Sequence, residues 1–275
     1  MVEVGKINQL EVSRQSDFGL LFDGLQLGEI LMPKRYVSKA WKVGDKVDVF
    51  VFLDSEDRLT ATTDKPKAQV GDFALLRCTD TTTIGAFLDW GLSKDLFVPF
   101  REQRVKMRKG ESYLVYLYYD KASGRIVGSS KLDKYLTSRR FYKNGEEVDL
   151  MVWQKSDLGY KCIINDERWG MIFFNDVFQA LSRGQKLKGY IKNVRPDGRI
   201  DLILQKPGYE KVTDLSQTIL NYLKKEGGFM PITSKTPSEK INALFGVSKK
   251  TYKNAIGALY KKRLITIEDD GVRLV

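Results

Sequence analysis

The sequence predicts a mainly β chain with a small α/β end: tandem five-stranded barrels, then a helical segment closed by a short wing. Three observations carry that reading. The stretches SDFGLLFDG, TTIGAFLDWG and SDLGYKCIIN share a polar residue, an apolar one, a glycine and a strand-like run, so one small module is written three times. Each copy holds five short strand-like runs in about 65 to 70 residues, with a turn at nearly every boundary, which suits a small closed barrel better than a sandwich. Over roughly the last 60 residues the apolar spacing changes to that of helices.

In chain order, the repeats set boundaries at 1–64, 65–137 and 138–212, and leave 213–275 for the helical end. GKINQLEVSR, GDFALLRCTD and GEEVDLMVWQ are the opening strands, the glycine phrase begins the second, and LGEILMPK, DLFVPFRE and WGMIFFND supply the third. The fourth and fifth flank the turns DSEDR, DKASGR and RPDGR, whose Asp, Ser, Gly and Pro content suits hairpin connections. Closing such short strands into a barrel removes edges that other chains could otherwise pair with.

The helical end begins with VTDLSQTILNYLKKEGG, where Leu215, Ile219, Leu220 and Leu223 fall at helical spacing, Asp214 or Ser216 suits the cap, and glycines stop the run. Pro237 and Ser238 start a second helix with Ile241, Leu244 and Phe245 on its apolar face and Gly246 at its end. A third runs from an N-capping Ser248 through Tyr252, Ala255, Ile256 and Leu259. LITIEDDGVRLV follows as a hairpin with Asp270 and Gly271 in its turn, and three helices with a two-stranded wing make a winged helix-turn-helix.

Charge gives the first functional hint. Lys plus Arg number 46 against 35 Asp plus Glu, a net of +11, and an excess of that size favours polyanionic partners. Residues 1–64 carry 8 basic and 11 acidic side chains, a net of −3, while the three later segments carry +5, +4 and +5. The chain has no histidine and only two distant cysteines, Cys78 and Cys162, so imidazole chemistry and a zinc cluster are excluded. No GxxxxGK loop appears, and acids such as Asp54, Glu56, Asp57, Asp269 and Asp270 sit where hairpin turns need them rather than around a metal pair. No catalytic residue, metal site or cofactor is expected. No apolar run approaches the ~18 residues of a membrane span and MVEVGKINQLEVSRQ lacks the regions of a secretion signal, so a soluble, cytoplasmic protein is expected.

Each repeat resembles an S1 domain, the oligonucleotide-binding (OB) fold variant whose second strand reads aromatic, Gly, small, Phe, apolar. Ile84, Gly85, Ala86, Phe87, Leu88 and Asp89 follow that phrase, and Asp95, Leu96, Phe97, Val98 and Pro99 follow the third-strand phrase. In the first repeat Phe18 and Gly19 fit but Leu21 replaces the second aromatic; in the third Leu158 and Gly159 fit and Lys161 takes that place. The histidine that ends the third strand in the S1 family is replaced by Met32, Val98 and Phe173. The fold class is thus tandem OB/S1-like barrels plus a C-terminal winged helix-turn-helix.

Alternation along barrel strands can set aromatic rings on a solvent face, where each stacked base contributes about 1–3 kcal/mol without demanding a particular base. Candidate stacking residues are Phe18, Phe87, Trp90, Phe100, Tyr160 and Phe173, with core packing the alternative for each. The basic stretch REQRVKMRKG, between the third and fourth strands of the middle repeat, offers Arg101, Arg104, Lys106, Arg108 and Lys109 for phosphate contact, against the plainer role of a solvated turn. DKYLTSRRFYKNG adds Lys134, Arg139, Arg140 and Lys143 as a lining or a linker, and Lys161 is a further candidate. The acidic first repeat is expected to bind most weakly and to serve mainly in packing. Lys249, Lys250 and Lys253 lie near the start of the third helix, where a recognition helix meets a groove, although such a helix also serves protein contact.

Three S1-like barrels followed by a winged helix is the arrangement of the conserved virulence factor B family of bacterial RNA-binding proteins, which this chain resembles over nearly its full length. The residues alone point to nucleic-acid binding with single strands favoured. The resemblance implies RNA, and a cytoplasmic regulator of gene expression that acts by binding. The alternatives are a DNA-binding transcription regulator led by the winged helix and a ribonuclease accessory factor, with DNA as the second candidate partner. Oligomeric state is not legible.

Overall fold

The computed structural model describes residues 1–177, 179–205 and 210–275. The chain forms two compact units, residues 1–138 and 139–275. Three closed five-stranded barrels and three helices account for nearly all regular structure.

The first barrel is built from β1 (Ile7–Ser16), β2 (Gly19–Asp23), β3 (Glu29–Pro33), β4 (Lys46–Leu53) and β5 (Leu59–Thr62), in the closed order β1-β2-β3-β5-β4. The second uses β6 (Phe73–Thr81), β7 (Gly85–Asp89), β8 (Leu96–Pro99), β9 (Ser112–Asp120) and β10 (Arg125–Ser129) in the same cyclic order. The third uses β11 (Glu147–Lys155), β12 (Gly159–Ile164), β13 (Arg168–Phe173), β14 (Lys186–Val194) and β15 (Ile200–Ile203). In each, all pairings are antiparallel except the one that closes the barrel, third strand to fifth: Leu31 opposite Thr60, Phe97 opposite Val127, Met171 opposite Asp201.

Register explains why the glycine phrase recurs. A Cβ at Gly19, Gly85 or Gly159 would collide with the carbonyl oxygen of Met32, Val98 or Ile172, because the second strand starts pressed against the end of the third. Only glycine permits that approach. The opening strand of each barrel carries a bulge at the matching place, between Val12 and Arg14, Cys78 and Asp80, and Val152 and Gln154. Bulges bend the strand sharply enough for so few strands to close.

The first barrel has its own core around Val12, Phe22, Ile30, Met32, Val49 and Val51, and the alternate residues of β4 pack against the second barrel. Phe50 and Phe52 of β4 lie in the packed cluster of the second barrel with Leu76, Leu88, Leu96, Val115 and Trp90. The third has its own core around Val148, Leu150, Val152, Cys162, Ile172 and Leu202. Both cysteines are free and buried, and burial pushes the Cys162 thiol up to about 12.

The helical end comprises α1 (Glu210–Lys225), α2 (Ser238–Phe245) and α3 (Lys249–Lys261), with β16 (Phe229–Met230), β17 (Ile265–Ile267) and β18 (Val272–Leu274). Ser248 accepts a hydrogen bond from the Thr251 amide as the expected cap, and Gly246 ends α2 in the left-handed conformation. One expectation needs correction. Neither Asp214 nor Ser216 caps α1, which already begins at Glu210, upstream of both and of the boundary drawn at 213. The expected hairpin forms from β17 and β18, and its sheet gains a third strand, in the order β16-β18-β17, because Phe229 and Met230 pair with Arg273 and Val272. Among the described residues no helix is long and apolar enough to cross a membrane.

Candidate nucleic-acid interface

The outward face of the second and third strands is the place to look for base contacts, since their alternate residues fill the cores. In the second barrel Leu96 and Val98 point inward, which leaves Phe97 outward, opposite Phe87 in the β7–β8 register. The two half-buried rings lie 5.3 Å apart and tilted by 38°. The same register positions hold Leu21 and Leu31 in the first barrel, Lys161 and Met171 in the third. Phe97 was missed as a candidate, although alternation with its buried neighbours marks it.

Next to that face, each turn into the second strand presents one exposed apolar side chain: Phe18 at 77 % exposure, Ile84 at 63 % and Leu158 at 64 %. Their carbonyls accept amide hydrogen bonds from Lys34, Phe100 and Phe174, so the three turns are held alike. Phe100 is exposed, with the Lys106 ammonium 6.0 Å from its ring centre.

Two stacking candidates are buried instead. Trp90 is 3 % exposed, donates its indole N–H to the Lys94 carbonyl at 2.6 Å, and meets Phe50 edge-on. Tyr160 is buried in the third barrel's core, edge-on to Phe174. Neither ring has a free face for a base. Phe173 is half-buried under the Arg195 guanidinium, 5.5 Å from its centre. Its alignment with Met32 and Val98 is out by one: pairing sets Phe173 opposite Gly159, as Pro33 faces Gly19 and Pro99 faces Gly85.

The cations divide into tethered and projecting groups. Arg101 pairs with Asp120 at 3.3 Å, Arg104 with Asp133 at 3.7 Å and Lys109 with Asp80 at 3.6 Å, all at the surface. Exposed pairs of this kind are worth about 0–1 kcal/mol, so a phosphate can compete for them. Lys106 and Arg108 project with no ion pair among the described residues. The acid of that stretch, Glu102, is buried and bonded to Lys134 at 2.6 Å; burial works to raise its carboxyl, and the hydrogen bonds from Lys134 and Ser129 overcome this and hold it below the usual range. Lys134 is therefore a structural partner of Glu102 and not a free lining residue.

In the unit spanning 139–275, Arg139 is exposed, while Arg140 bridges Glu146 at 2.9 Å and Glu167 at 3.9 Å over the Tyr142 ring. The Lys161 ammonium lies 3.9 Å from the centre of Trp169 and 4.8 Å from that of Trp153, a close cation–π arrangement. On α3, Lys249 reaches the Lys235 carbonyl at 3.3 Å, and Lys250 and Lys253 are exposed on the side away from buried Tyr252, Ala255, Ile256 and Leu259. Gly257 shares their face and a Cβ there would meet nothing, so packing does not require it. Among the described residues no group of three or more metal-ligating side chains converges.

Comparison with known proteins agrees with this architecture. A family model for the CvfB-like winged helix domain matches residues 217–274, and one for the S1 domain matches residues 4–64. A Bacillus subtilis protein, YitL, is 25% identical over 264 residues, covering 92% of this chain and 87% of its own length. Conserved virulence factor B of Staphylococcus epidermidis is 22% identical over 277 residues, covering 98% of this chain and 85% of its own. A crystal structure of a multidomain protein with nucleic acid binding domains from Streptococcus pneumoniae aligns over 99% of this chain and 98% of its own, with 24% identity and a TM-score of 0.42. The resemblance to the conserved virulence factor B family holds over nearly the whole chain. S1 barrels joined to a winged helix form a nucleic-acid-binding architecture.

Proposed function

We propose that this chain of three S1-like barrels and a CvfB-like winged helix holds single-stranded RNA and regulates gene expression after transcription, by binding rather than by chemistry. The observation that carries the reading is the outward Phe87–Phe97 pair, a stacking surface with exposed Phe100, Lys106 and Arg108 on the adjoining segment. Stacking accepts any base, and cations follow the backbone, which together suit a single strand better than a duplex whose bases are hidden. Arg101, Arg104, Lys109, Arg139, Arg140 and Lys161 contribute phosphate contacts by exchanging a carboxylate, a ring or solvent for a phosphate oxygen. Modules that bind weakly alone gain affinity when linked on one strand. The protein works in the cytoplasm.

The exposed lysines of α3 favour a second reading, duplex DNA bound through the winged helix, and one experiment separates the two. Affinity for a labelled single-stranded RNA and for duplex DNA of equal length is measured across salt concentrations, for the native chain and for Lys249→Ala/Lys250→Ala/Lys253→Ala. Single-stranded RNA is expected to bind more tightly, and the triple variant to flatten the RNA salt slope by about 0.7 per lost phosphate contact. A preference for duplex that collapses in the variant would favour the DNA reading.

A further inference from the structure

The aromatic face of the second barrel is not open on all sides. Phe87 and Phe97 form part of the lining of a cavity of about 260 Å3, many times the ~30 Å3 share of one water molecule, which fits a single planar base. The second barrel also supplies Ile84, the buried Trp90 and Ile126, and the facing wall comes from the first barrel: Phe52 and Leu53 at the end of β4, and Ser55 and Asp57 of the β4–β5 hairpin. At the rim, the Asp57 carboxylate accepts hydrogen bonds from Lys94 at 2.9 Å and from Arg125, so one acid bridges two cations of the second barrel. Lys94 also donates to the Asp54 carbonyl at 2.6 Å.

The hairpin does not need the Asp57 carboxylate for its own shape. Asp54 builds the turn, accepting the amides of Glu56 and Arg58 and the Arg58 guanidinium. The Asp57 backbone is left-handed at φ 59°, a conformation that aspartate and asparagine tolerate better than most residues. What the carboxylate does is place two anionic oxygens beside two cations at the edge of a stacking surface, which is the arrangement of a nucleotide's phosphate beside its base.

We infer that this cleft is a subsite for one unpaired nucleotide, its base on Phe87 and Phe97 and its phosphate at Lys94 and Arg125 in the place that the Asp57 carboxylate holds. The first barrel then contributes to binding in two ways, as a wall of the base pocket and as an acidic occupant that a strand must displace. The inference rests on the RNA-binding reading above.

The test is Asp57→Asn in the full chain, binding a labelled single-stranded RNA of mixed sequence across salt concentrations. The variant is expected to bind roughly fivefold more tightly, the scale of one exposed ion pair released. Its salt slope steepens by about 0.7 for each cation freed to meet phosphate. Adding Phe87→Leu removes the gain. Arg125→Gln in the native background weakens binding and flattens the slope, and it decides the matter if thermal melting shows Asp57→Asn to be misfolded. Unchanged or weaker binding by a well-folded Asp57→Asn, while the native chain binds RNA, overturns the subsite and leaves the RNA reading intact. A native chain that binds no RNA at any salt concentration overturns both.

Discussion

The second and third barrels have the same strand order, the same bulge and the same glycine approach, yet they present different chemistry at one register position. Phe87 in the second is Lys161 in the third. Around Phe87 the surface is a pair of rings with cations at its edge; around Lys161 it is an ammonium held against two indoles. The tryptophans differ too. Trp90 is packed in the second barrel's core against Phe50 of the first, whereas Trp153 and Trp169 lie outside the third barrel's core cluster and meet Lys161. A barrel backbone thus fixes where an outward side chain stands, and the residue there decides whether the spot stacks a base or meets a phosphate.

The largest effect comes from breaking the packing between the first two barrels. Trp90→Ala is expected to destabilise the unit spanning 1–138 by about 3–5 kcal/mol, through the lost burial and the cavity left against Phe50. Denaturant unfolding followed by the near-ultraviolet signal of that unit checks it, and the third barrel is expected to keep its own transition. Next, Phe87→Lys makes the second barrel imitate the third. Removing one stacked base contact costs about 1–3 kcal/mol, a fall of roughly five- to 150-fold in affinity for single-stranded RNA, while the salt slope steepens by about 0.7. The smallest change is the reverse exchange, Lys161→Phe. Affinity is expected to stay within about threefold and the salt slope to flatten by about 0.7, and tryptophan fluorescence reports the loss of the ammonium from Trp169. Equal responses to both exchanges would show that the two faces do not differ in function.

The barrels were legible in the sequence because closure needs glycine at a fixed point and the phrase around it recurs three times. The start of α1 was not. Asp214 and Ser216 have the chemistry of a cap, but a cap acts only where the preceding backbone is not helical, and α1 is already under way from Glu210. The two residues of β16 are too short to show a period. Burial of Trp90 and Tyr160 follows from the same alternation that marks Phe97, since Trp90 continues the inward set of Ala86 and Leu88 and Tyr160 opens the inward set of Cys162 and Ile164. Asp57 meets partners 37 and 68 residues away, Lys94 and Arg125, and no local pattern announces contacts at that separation. The low charge of the first repeat was visible, and it points the same way as the acidic hairpin.

Phe50 and Phe52 give the packing of the first barrel on the second a meaning in time. Both sit on β4, yet the side chains that cover them belong to residues synthesised later, from Ala68 onward to Leu117. At ~5–20 residues per second, the nascent first barrel waits on the order of ten seconds with two phenylalanines uncovered, a period in which it is exposed to chaperones and to other nascent chains. The third barrel leaves no such debt, since its core cluster is drawn from residues 142 to 202 alone.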